Sequence, residues 1–154
     1  MRMIILFDTR EQKNGHILKG FERLGVGYAH EKLDYGDYSC ICDGIDYRNK
    51  IVIERKNSIT EICGNFAKGK SRFQREFERA RTEGCKLYLM IEDDWENIDS
   101  GKYRSRFSPR DIKARLNTWC HSYMITLDFV NKGAAADHIV KTFRNYIEGR
   151  NSRE

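Results

Sequence analysis

Five consecutive apolar positions at residues 3–7, closed by the polar stretch Asp8-Thr9-Arg10-Glu11, predict a buried strand followed by a loop. The spacing then becomes helical. Ile17, Leu18, Phe21 and Leu24 fall on one face, with Asn14 placed to cap the helix and Gly25 to end it. Residues 26–33 read as a second strand. Residues 38–42 and 50–55 flank Asp43-Gly44-Ile45-Asp46, which predicts a β-hairpin turning near Asp43-Gly44. Ser58-Ile59-Thr60-Glu61 has the Ser-x-x-Glu form of a capping box and opens a short helix to Phe66. A basic, flexible connector, Lys68-Gly69-Lys70-Ser71, leads into a helix with Phe73, Phe77 and Ala80 on one face and Gly84 at its end. Residues 86–92 suit a central strand and 93–101 an acidic loop. Ser108-Pro109 supplies a cap and a first-turn proline for another helix. Residues 122–130 read as a strand and 134–148 as a final helix.

Strands and helices thus alternate after a hairpin-rich start. The expected fold is α/β, a mixed central sheet flanked by helices on both faces. The 154 residues suffice for one core, so a single domain over 1–149 is expected, with a frayed tail at 150–154.

Composition narrows the classes only modestly. Charged residues make up 33% and apolar residues 40%, with no run long enough to span a membrane. The apolar stretch at the N-terminus is too short for a signal peptide. The five cysteines are odd in number, contain no Cys-x-x-Cys and match no zinc spacing, so reduced thiols and a cytoplasmic setting are expected. Cys40 and Cys42 share a strand face, where packing is the expected role. The net charge of +5 is compatible with nucleic acid without requiring it. The four histidines are scattered, with no pair at metal-ligand spacing, and no glycine-rich phosphate loop occurs.

The chemistry concentrates where Ile51-Val52-Ile53 runs into Glu54-Arg55-Lys56. Strand side chains alternate, so Glu54 and Lys56 point the same way. A hairpin would bring Asp37, from Gly36-Asp37-Tyr38, onto the neighbouring strand. Two carboxylates and an ammonium would then converge, a set suited to metal-assisted hydrolysis of a phosphodiester. Alone, Glu-x-Lys reads as an edge-strand ion pair of little energetic weight. Here Glu54 ends a wholly apolar strand, Asp37 follows a glycine, and Asp8 and Glu11 lie just past another buried strand. Four acids at the ends of core strands exceed what solvation requires.

The set Asp8-x-Arg10-Glu11, Gly36-Asp37-Tyr38 and Glu54-Arg55-Lys56 resembles the XPF/Hef-type nuclease family, whose signature is Gly-Asp, a gap, then Glu-Arg-Lys and a downstream Asp. The resemblance implies a restriction-endonuclease-like core that cuts branched DNA, such as flaps and forks, with Mg²⁺ or Mn²⁺. It assigns Asp37 and Glu54 as metal ligands with the Arg55 carbonyl as a third, and Lys56 as the group that positions water. Asp8 and Glu11 would complete the acidic site or hold metal-bound water, and Arg55 would contact phosphate or buttress the carboxylates. The family's downstream Asp falls at Thr60 here. Glu61 could stand in for it, but the capping box accounts for Glu61. The helix-hairpin-helix module or helicase found in many relatives is not expected within these residues.

Two basic clusters are candidate DNA surfaces. The first cluster, Lys68, Lys70, Arg72, Arg75 and Arg79, lies just downstream of the site, and Arg10 is a further candidate. The second, Lys102, Arg104, Arg106, Arg110, Lys113 and Arg115, is interleaved with Tyr103 and Phe107, which could stack on unpaired bases. The resemblance also implies a homodimer, in which Trp119 and Tyr123 would form either interface or core, and an accessory DNA-binding protein could select the substrate. The expected function is a metal-dependent endonuclease of branched or flapped DNA. The alternatives are a catalytically silent DNA-binding or scaffold subunit, a sequence-specific restriction endonuclease, and action on RNA.

Overall fold

The computed structural model describes residues 1–68 and 72–151, without the side chains of Arg72, Phe73 and Asn151. Among them, seven strands form one sheet: β1 (Met3–Phe7), β2 (Gly27–His30), β3 (Tyr38–Cys42), β4 (Ile45–Asp46), β5 (Ile51–Lys56), β6 (Lys86–Ile91) and β7 (Thr126–Phe129). Their order is β2-β1-β3-β5-β6-β7, with β4 paired to β3. The middle pairs, β1–β3 and β3–β5, are antiparallel, and the pairs on both flanks are parallel. Parallel pairs need crossover connections, and helices supply them. Helix α1 (Gly15–Arg23) joins β1 to β2, while α2 (Ile59–Phe66) and α3 (Arg72–Thr82) join β5 to β6. Between β6 and β7 lie the single turn α4 (Glu96–Asp99) and α5 (Pro109–Tyr123). Helix α6 (Ala135–Asn151) closes the chain.

Alternation along β5 sorts the two faces of the sheet. Ile51 and Ile53 enter a core with Phe21 of α1 and Ile139 and Phe143 of α6. Val52 enters the opposite core with Ile62 of α2, Phe77 of α3 and Leu116 of α5. The same alternation carries on past Ile53. Glu54 and Lys56 therefore leave on the Val52 face, and Arg55 on the Ile53 face.

Two glycines allow close approaches. A Cβ at Gly20 would lie 2.3 Å from that of Ala136, so α1 and α6 meet only because the residue is glycine. Gly36 has φ +76°, and a Cβ there would come within 2.8 Å of the Val52 Cβ, so the chain entering β3 can lie against β5.

Several expectations need correction. The Asp43-Gly44 turn exists, with φ of 50° and 80°, but it closes β3 on the two-residue β4. The β3–β5 register is a single bridge, Tyr38 opposite Ile53. The strand expected over 26–33 shrinks to a four-residue edge strand, paired on one side alone and largely exposed. Asn14 does not cap α1 with its side chain, which instead donates to the buried Tyr38 hydroxyl at 3.2 Å. The strand expected from Ser122 starts at Thr126, because α5 runs on until Met124 turns left-handed at φ 55°. The acidic loop contains the turn α4, and α6 extends through the start of the expected frayed tail. The cap at Ser58 is confirmed: its hydroxyl accepts from Glu61 N–H at 3.1 Å, and Glu61 accepts in return from Asn57 N–H at 3.1 Å.

Candidate active site

The C-terminal end of β5 forms one wall of a cleft of about 630 Å³. Glu54 and Lys56 share a face as the alternation requires, and Lys56 Nζ stands 3.4 Å from Glu54 Oε1. Asp37 arrives one residue ahead of β3 and is fixed on three sides. Its N–H donates to Ile53 O at 2.8 Å, its carbonyl accepts from Asp8 N–H at 2.8 Å, and its Oδ2 accepts from Arg55 N–H at 2.7 Å. Asp37, Glu54, Lys56 and Glu11 all line the cleft, joined by Glu61 and Glu76. Burial, then the charges of Glu54 and Glu11, push the Asp37 carboxyl well above the usual carboxylate range. Burial likewise raises Glu54, with Lys56 opposing the shift and Glu76 and Glu11 adding to it. Carboxylates crowded in this way favour any added positive charge.

Arg55 stands behind this wall. Its guanidinium donates to both Glu11 oxygens at 2.8 and 2.9 Å, to the Gln12 carbonyl at 2.7 Å, and to Glu92. Glu92 in turn lies 2.6 Å from His16 Nε2. Burial works against the Arg55 cation, but Glu11 and Glu92 more than offset it and hold its pKa above the ordinary arginine value. All of these side-chain contacts are to carboxylates or a carbonyl. Asp8 does not reach the cleft. Its Oδ1 accepts from Leu33 N–H at 2.7 Å, and its Oδ2 from Arg10 N–H and Nε at 3.0 and 2.7 Å. Burial would raise this carboxyl, yet those hydrogen bonds outweigh it and hold Asp8 below its usual value. Asp8 braces the Arg10 loop, and Arg10 spans 3.0 Å to Glu76.

Glu76, Glu92 and His16 were not among the candidate residues. Glu92 was detectable by the rule that flagged Glu54, since it too follows an apolar strand. Glu76 carries no comparable signal; among the charges of α3 only the tertiary fold selects it. Thr60 does not line the cleft, and its hydroxyl accepts from Arg104 N–H at 3.0 Å.

The expected DNA surfaces divide. Arg10 and Lys68 line the cleft, and Arg75 lies in an adjoining groove. Lys70 and the Arg72 side chain fall outside the described residues. Arg104, Arg106 and Arg110 are exposed, but the aromatics between them turn inward: Tyr103 and Phe107 pack against the core. Trp119 is core as well, edge-on to Phe66 and Phe77.

Among the described residues, no three His, Cys, Asp or Glu side chains form a ready-made metal cage. Mg²⁺ does not need one, since it binds through one or two carboxylates and keeps several waters. The crowded Asp37 and Glu54 carboxylates fit such an ion. The alternation of β5 also turns the Arg55 carbonyl to the side on which its N–H meets Asp37.

The site thus sits in an α/β fold, a mixed sheet with helices on both faces and Glu-x-Lys closing β5. The chain matches the ERCC4 domain over residues 7–142 and belongs to that family. Among solved structures it is similar to XPF from Aeropyrum pernix, at 21% identity and a TM-score of 0.71, covering 94% of this chain and 65% of that one. It is also similar to that protein in complex with DNA, at 21% identity and a TM-score of 0.72, covering 96% and 66%. The chain thus spans less than two thirds of the length of either structure. No curated protein sequence matches it.

Proposed function

We propose that the chain is a metal-dependent endonuclease domain that hydrolyses phosphodiester bonds in branched or flapped DNA. The observation that carries this reading is the cleft itself: Asp37 and Glu54, both with raised pKa values, beside Lys56 at the mouth of a buried strand. Membership of the ERCC4 domain family supports it, as does the DNA complex of the similar XPF structure.

Asp37, Glu54 and the Arg55 carbonyl would hold Mg²⁺ or Mn²⁺, which when bound supplies Lewis-acid stabilisation of charge on the phosphate. The chain's own residues do the rest. Lys56 offers an ammonium that orients the attacking water and meets the charge growing on phosphorus. Glu54 keeps that ammonium pointed into the cleft. Glu11 and Glu92 hold Arg55 rigid, and its backbone N–H then fixes the Asp37 carboxylate. Glu76 adds a further carboxylate to the wall, steadied by Arg10.

The test incubates the purified protein with Mg²⁺ or Mn²⁺ and labelled flap, fork and linear duplex, beside Asp37→Ala and Lys56→Ala. Cleavage near the junction is expected, lost with Asp37→Ala and slowed about a hundredfold or more with Lys56→Ala. Binding without cutting in either metal would mark a catalytically silent subunit. Cutting of linear duplex at a fixed sequence would mark a restriction enzyme, and an RNA arm decides the nucleic acid.

A further inference from the structure

Among the described residues, those lining the cleft include five basic residues and five acidic ones, with Arg55 committed to Glu11 and Arg10 to Glu76. A second groove, of about 580 Å³, opens directly from the cleft, and the two share Arg10 and Glu76. The 3.0 Å ion pair between those residues forms the sill. Beyond it, among the described residues, the groove adds Lys32, Arg75 and Arg79, with Asp34 beside them. Arg75 and Arg79 stand one helical turn apart on α3, about 5–6 Å between their Cβ atoms. Arg79 lies 5.8 Å over the Tyr35 ring, whose hydroxyl is itself anchored to Glu83 at 2.7 Å. The exposed Lys32 faces them from the loop after β2. Among the described residues, no aromatic side chain lines this groove to stack on bases.

We propose that the Lys32–Arg75–Arg79 groove binds the sugar-phosphate backbone of one nucleic-acid strand as it leaves the cleft. This rests on the reading of the cleft as a phosphodiesterase site. The strand crosses the Arg10–Glu76 sill, so that phosphates seated in the groove set the register of the bond presented to Lys56. Recognition there is independent of sequence, because phosphates position and do not specify.

Binding of a labelled single strand, measured in EDTA across a salt series, tests the groove without cleavage. In the Lys32→Gln/Arg79→Gln double variant, affinity should drop and the slope of log K against log salt should become shallower by about 0.7 for each phosphate that is no longer neutralised. Lys32→Gln alone, on an exposed loop, should show part of that change with an unaltered Tm. The control, Lys19→Gln/Lys141→Gln, removes the same charge from α1 and α6 and should leave the slope unchanged. Equal effects in the two double variants would reduce the groove to net charge and overturn the proposal, as would a wild type that binds no strand. Stronger binding of polyglutamate than of DNA would overturn it in favour of an acidic peptide. A wild type whose slope depends on the groove but which does not cut in either metal upholds the groove and sinks the hydrolytic reading. Cutting with an unchanged slope in the variant does the reverse.

Discussion

Asp37 and Glu54 hold their protons more tightly in the fold than in the unfolded chain, chiefly because both are buried. The stability that follows is fully present below the ordinary carboxylate pKa of about 4 and is lost as pH rises through the raised folded values. The metal-free fold therefore disfavours the ionised form of both carboxyls. Asp37→Asn removes one of them. Its metal-free Tm should lie above that of the wild type at pH 7, with the gap closing as pH falls toward 4. A gap that does not change with pH would contradict this account. Arg55 predicts the opposite sign. Its side chain is 6% exposed and pairs with Glu11 and Glu92, themselves 8% and 0% exposed. Arg55→Ala would strand both acids, and urea denaturation should find a loss of about 3–5 kcal/mol. Function and stability thus pull apart within three consecutive residues, since Glu54 and Lys56 face the cleft while Arg55 secures the fold behind it.

The meeting of β3 with β5 depends on Gly36. Any other residue would be strained at φ +76° and would also press a Cβ on Val52. Gly36→Ala is expected to cost about 1–3 kcal/mol in denaturant unfolding. It should also lower activity more than that loss explains, since Asp37 is the next residue. Local pattern revealed most of the elements. The apolar runs gave β1, β5 and β6, and Ser58 and Ser108 marked helix starts that the structure realises through their hydroxyls. It failed where tertiary contacts override local preference. Residues 122–124 look strand-like, yet Tyr123 stays helical to pack on Phe77, with ring centroids 5.7 Å apart. Asn14 has the makings of a cap, but the phenol of Tyr38 claims its amide. The site divides in the same way. Period-two alternation placed Glu54 beside Lys56, and the glycine before Asp37 marked a sharp approach. Nothing local indicates that Arg55 reaches Glu92, on another strand, or that Glu76 joins the cleft from α3.

For the whole molecule, the crowded carboxylates of Asp37 and Glu54 would be relieved by a bound divalent cation. Mg²⁺ should therefore raise the Tm of the wild type. The stabilisation approaches about 2.7 kcal/mol at a hundredfold excess over Kd, while Asp37→Asn and Glu54→Gln should respond little. Thermal melts with and without EDTA would check this, and an equal response in all three proteins would place the ion elsewhere. The strict alternation of β5 has one more consequence, for the lengths this domain can tolerate. Facing is decided residue by residue, so adding or deleting one residue within 51–53 would reverse the parity of everything after it. Arg55 would be thrust into the cleft, and Glu54 and Lys56 would be turned against α1. An insertion in the exposed turn at Asp43-Gly44 changes no parity in β5, because Gly36 and Ile53 lie outside it. Length variation in this chain should therefore be tolerated at that turn and excluded from the strand beside it.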